Sequence, residues 1–143
     1  MNFSIEQALK SEGFLIHTIQ GDSMLPLLDE NNDTVRLILA EKPLKKYDIP
    51  LYRRPSGQLV LHRILKIMPD GYITCGDNRW KTEFVPFDWV VAVAEGVYKG
   101  DCFMPLNSKE MTNYAKSITN KRFLRFLKFL PSLIFKKVKR IFK

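Results

Sequence analysis

Leu59-Val60-Leu61-His62-Arg63-Ile64 lies in a longer run, Gln58 to Ile67, that alternates between two side-chain faces as an extended strand does. Val60, His62 and Ile64 share one face, and Leu59, Leu61, Arg63 and Leu65 share the other. The run follows a Pro55-Ser56-Gly57 turn, and Met68-Pro69-Asp70-Gly71 then closes a hairpin into Tyr72-Ile73-Thr74-Cys75. Further strands are expected at Phe14 to Ile19, Thr34 to Leu39, Ile49 to Arg53 and Trp89 to Ala94. Pro50 marks the third of these as an edge or a bulge, because proline cannot donate to a ladder. Ser4 to Ser11 reads as a short helix, capped by Ser4 and stopped by Gly13. The expected fold is mainly β, with a short N-terminal helix and a C-terminal amphipathic helix.

The same run carries a base. His62 has apolar neighbours on its own face, so partial burial would favour the neutral imidazole. Alone it reads as well as a half-buried core histidine. Its significance comes from Gly21-Asp22-Ser23-Met24-Leu25-Pro26, where Ser23 sits at a sharp turn that can expose its hydroxyl. A serine hydroxyl is a poor nucleophile until a base takes its proton. The chain has only two histidines, His17 and His62, so the choice of base is narrow.

The net charge of +8 is unevenly held. From Met111 to Lys143 there are ten Lys or Arg and no Asp or Glu, which leaves 13 basic against 15 acidic groups in residues 1–110. Residues 1–110 are therefore expected to form a mildly acidic β domain, and 111–143 a basic amphipathic tail. Cys75 and Cys102 make no metal-ligand or redox spacing, which fits a reducing compartment. No metal or cofactor is expected. The polar opening Met1 to Lys10 is no secretory signal, and no run approaches the roughly 20 apolar residues a spanning helix needs.

Four blocks, in order, resemble the signal peptidase I and LexA superfamily of serine endopeptidases. They are Gly21-Asp22-Ser23-Met24-Leu25-Pro26, Tyr47-Asp48-Ile49-Pro50-Leu51-Tyr52-Arg53, Leu61-His62-Arg63-Ile64 and Gly76-Asp77-Asn78. Members of this superfamily divide by their base, and His62 stands where the endoplasmic-reticulum type has His and the bacterial type has Lys. The resemblance implies a LexA/signal-peptidase-like β domain in which Ser23 attacks a peptide carbonyl and His62 accepts, then returns, its proton. A third group should orient the imidazole. Asp77, in its tight turn, and Glu83, near where His-type members carry a further Asp, compete for that role, with Asp77 favoured as the shorter and better preorganised acid. Met24 and Pro26 are expected to shape the nucleophile turn, and Arg63 to form a structural ion pair on the opposite face. Gly21 replaces a Ser that donates to the oxyanion in many signal peptidases, leaving the Ser23 backbone N–H as the main donor. Loss of such a donor costs on the order of 10²-fold in rate.

In the tail, Lys121, Arg125, Lys128, Ser132, Lys136, Lys139 and Lys143 recur at helical spacing, opposite Phe123, Leu127, Leu130, Ile134, Val138 and Ile141. A kink is expected at Pro131. Lys/Arg on one face and Phe, Leu and Ile on the other suit an anionic membrane surface. A partner protein would leave the complete lack of acids unexplained. Nucleic acid, which is not expected, would leave the Phe-rich face unexplained.

Together these features predict a cytoplasmic, peripherally membrane-associated serine endopeptidase that cleaves a peptide or precursor carrying a leader or signal-like sequence. One alternative is a membrane-surface peptide-binding module with little catalysis. Another is a LexA-like regulatory domain, which the short stretch before Ser23 and the absence of an Ala-Gly dipeptide disfavour.

Overall fold

The computed structural model describes residues 4–40 and 43–141, without the side chains of Phe129, Pro131, Ser132, Leu133, Phe135 and Val138. The fold is mainly β, as expected. Helix α1 (Ile5–Glu12) begins where Ser4 accepts from the Gln7 N–H and Gln7 reaches back to the Ser4 N–H, a reciprocal cap. It ends at Gly13, whose φ of 82° is left-handed, and it buries Leu9 in the main core.

The larger sheet has the order β1 (Leu15–Thr18), β2 (Asp33–Leu39), β8 (Val90–Lys99), β3 (Pro50–Arg53), β4 (Leu59–Leu61), all antiparallel neighbours. The long β8 also pairs, at its far end, with β9 (Cys102–Pro105). The smaller sheet has the order β5 (Arg63–Met68), β6 (Gly71–Cys75), β7 (Glu83–Pro86). Val35, Leu37, Leu51, Leu61, Ala92 and Val97 line the main core with Met24 and Leu28 from the turn that carries Ser23.

One expectation needs correction. The run Gln58 to Ile67 is two strands, β4 and β5, separated at His62, with one strand in each sheet. Of the edge or bulge that Pro50 predicts, the edge is absent, since β3 lies between β8 and β4, but a register irregularity is present. Pro50 takes the first position of the strand, which proline tolerates, and the β3–β8 register shifts after Leu51. Helix α2 (Lys109–Asn120) starts at the Ser108 cap and buries Met111 and Ala115, Met111 within the main core. Only α3 (Arg122–Ile141) projects as a basic helix, and it continues through Pro131. Strands β7 and β9 were absent from the expected set; both are four residues long and end in proline, giving too short an alternation to register.

Candidate active site

The chain leaves β1 through Gly21, whose φ of 83° is left-handed and whose N–H donates to Glu30 Oε2 at 2.6 Å. The turn that follows is closed by Leu25 N–H to Asp22 O at 3.2 Å and Leu28 N–H to Met24 O at 3.0 Å. Met24, Leu27 and Leu28 are buried beneath it, so the turn hangs from the core by its apolar side chains while Ser23 stays half-buried at the surface. The Leu25–Pro26 bond is cis.

A second turn grips the first. The Asn78 N–H donates to Ser23 O at 2.9 Å, and Asn78 Nδ2 donates to Asp22 O at 3.1 Å. Asp22 is exposed and pairs with the Arg79 guanidinium. Gly76 supplies the closest approach: a Cβ there would lie 2.6 Å from Ser23 O and 3.2 Å from His62 Nε2. The Ser23 carbonyl and His62 Nε2 thus both lie close to Gly76. Ser23 and His62 line a single open cleft of about 600 Å³ between β1 and β4, together with Ile19, Leu59, Leu61 and Arg79. Among the described residues neither the Ser23 hydroxyl nor its backbone N–H has a hydrogen-bond partner. Both are free to engage a substrate.

Burial pushes the His62 imidazole down from 6.5 to about 4; Glu83 and Asp77 oppose that shift, and Arg54 and Arg79 add to it. The ring is neutral at physiological pH and can accept a proton, though it is a weak base at rest. Its Nδ1 lies 3.3 Å from the Tyr52 hydroxyl oxygen. Tyr52 donates to Glu83 Oε1 at 2.6 Å. Arg54 donates to both Glu83 oxygens, each at 2.9 Å. Burial works to raise the Glu83 carboxyl, but the bonds from Arg54 and Tyr52 outweigh it and leave the group below its ordinary value.

Among the described residues, neither competing acid bonds directly to the imidazole. Asp77 accepts from Arg63 Nε at 2.8 Å, Arg63 Nη2 at 2.7 Å and Tyr114 at 3.0 Å. The Arg63 ion pair anticipated from sequence is therefore made with one of the two acids proposed to orient the base. Glu83 approaches His62 only through Tyr52. The role of Tyr52 went unassigned in the sequence, although β3 pairs it with Val60, two residues before His62, which puts ring and imidazole in diagonal reach.

Along the tail, Lys128, Lys136 and Lys139 are exposed, and Lys121 is exposed at the α2 C-cap. Lys143 lies outside the described residues. Arg125 departs from the outward stripe: it is half-buried and donates to Arg79 O and Ile118 O, each at 2.8 Å. Arg122 donates to Trp80 O at 2.9 Å, and Phe126 packs edge-on against Trp80. The first turns of α3 are thus pinned to the Arg79-Trp80 segment, while Phe123, Leu124, Leu127, Ile134 and Ile141 remain exposed, up to 71 % for Ile141. No helix among the described residues is long and apolar enough to cross a membrane.

Comparison with family models, with curated proteins and with solved structures found no match.

Proposed function

We propose that this chain is a serine endopeptidase of the signal peptidase I and LexA type, with Ser23 as nucleophile and His62 as general base. The observation that carries this reading is that Ser23 and His62 line one open cleft, with the Ser23 carbonyl and His62 Nε2 both close to Gly76. A neutral imidazole takes the Ser23 proton as the hydroxyl attacks a peptide carbonyl, then returns it to the leaving amine. The unpartnered Ser23 N–H is the donor for the developing oxyanion. A separation looser than a formed Ser–His bond is ordinary for a free enzyme.

The substrate is a peptide or precursor protein threaded in extended form through the cleft. The exposed apolar side chains of α3, flanked by Lys128, Lys136 and Lys139, support peripheral attachment to an anionic membrane surface. Two free cysteines fit a reducing, cytoplasmic face of that membrane. A weakly catalytic peptide-binding module is the second reading, favoured by the low basicity of His62 and by Gly21 in place of a second oxyanion donor.

The test is a peptide-library cleavage assay with Ser23→Ala, His62→Ala and the double variant. Each single change should abolish turnover and the double should be no worse, since groups acting as a unit are non-additive. A serine-directed fluorophosphonate should label Ser23. Wild-type protein that binds peptides through the cleft without cleaving or labelling would establish the binding module instead.

A further inference from the structure

We infer that Tyr52 is a positioning residue that fixes the tautomer of His62: its hydroxyl, committed as a donor to Glu83, can only accept from Nδ1–H, which leaves the lone pair on Nε2. Tyr52 Oη lies 2.6 Å from Glu83 Oε1, 3.3 Å from His62 Nδ1 and 3.3 Å from Thr74 Oγ1. A tyrosine hydroxyl has one proton to donate. Glu83 also takes two bonds from Arg54, which hold it as a carboxylate, and a carboxylate only accepts. The Tyr52 proton therefore goes to Glu83. Nδ1 then faces oxygen lone pairs and must carry the ring's hydrogen, because the position of one ring proton is set by the partner of the other nitrogen.

The consequence lies on the other side of the ring. Nε2, which lies close to Gly76, is left as the acceptor. The arrangement does the work of a carboxylate bonded directly to the imidazole, but with a buried phenol between acid and base. Glu83 holds the phenol, the phenol holds the ring, and Arg54 holds Glu83. When the ring takes a second proton, the nearby Glu83 charge favours it, opposing the depression of the His62 pKa that burial imposes.

The tautomer claim stands on the Tyr52 network alone; its catalytic meaning rests on the peptidase reading, and the measurements separate the two. Nitrogen NMR of histidine-labelled protein near neutral pH should show His62 with a protonated Nδ1 and a bare Nε2. In Tyr52→Phe the ring should shift to a mixture or to the Nε2–H form, with the fold retained by circular dichroism. A wild-type His62 in the Nε2–H form would overturn the inference, as would an unchanged Nδ1–H signature in Tyr52→Phe. If that variant fails to fold, the wild-type spectrum still decides. With a cleavable peptide in hand, Tyr52→Phe should lower kcat about 10-fold with KM unchanged, part of the roughly 10²–10⁴ that general-base catalysis supplies. The predicted tautomer without any peptide cleavage would leave this inference intact and fail the peptidase reading.

Discussion

Asp77 grips Arg63 with both carboxylate oxygens, at 2.8 and 2.7 Å, in a pair whose side chains are 1 % and 4 % exposed. Tyr114 of α2 completes the cluster. Breaking such a pair leaves the surviving charge buried without its partner, at a cost of about 3–5 kcal/mol. Asp77→Ala should therefore lower the unfolding free energy by that amount, read from denaturant titrations. The His62 tautomer should be unaltered in whatever fraction stays folded. An Asp77→Ala protein as stable as wild type but stripped of the Nδ1–H signature would make Asp77 the orienting acid after all.

Gly76→Ala probes the junction of nucleophile and base. The added methyl has backbone on one side, 2.6 Å away at Ser23 O, so the Ser23 turn or the strand end must shift. Overpacking of this kind costs about 1–3 kcal/mol. Cleavage should fall far more than stability does, read as kcat/KM against thermal midpoint. Full activity in the variant would show that Ser23 and His62 do not meet there.

The depressed His62 pKa sets a pH window. Between about 4 and 6.5 the unfolded chain binds a proton at this position that the folded chain refuses. Stability should therefore rise with pH across that window and be lost as pH falls through it. His17, also lowered by burial, adds a smaller contribution of the same sign. Unfolding titrations of His62→Gln should show a flatter slope than wild type. Cleavage by wild type should rise through an ionisation near 4, below the ordinary histidine value, and stay level through neutrality.

Truncation after Asn120 removes α3 but keeps α2, with Met111 and Ala115 in place. The shortened protein should fold and lose binding to anionic vesicles, since each Lys or Arg near such a surface contributes about 1 kcal/mol. Sedimentation with phosphatidylserine vesicles reads the difference. Binding that survives the truncation would assign the membrane contact elsewhere.

The strand content was legible because its signal is local: Thr34 to Leu39 and the hairpin at Met68-Pro69-Asp70-Gly71 alternate cleanly and carry their own turn chemistry. The break at His62 was not, because β4 and β5 form one unbroken apolar alternation and only pairing with different sheets divides them. The tail shows the same limit. Its amphipathic period is real, but Arg125 turns inward to donate to the carbonyls of Arg79 and Ile118, a fact of tertiary placement. In the site, Ser23 and His62 were visible as residue types, and the structure brings them to one cleft. The phenol between acid and base was hidden, since a tyrosine in a strand reads first as core.

Ser23 hangs from the larger sheet by Met24 and Leu28, whereas Asn78 and Gly76, which hold it against the base, follow the last residue of β6 in the smaller one. His62 is the one residue between β4 of the larger sheet and β5 of the smaller. The gap between hydroxyl and imidazole is therefore a gauge of how tightly the two halves of the molecule are seated. Mild denaturant or pressure that loosens that seating, while each ladder stays intact, should silence the chemistry well before the protein melts.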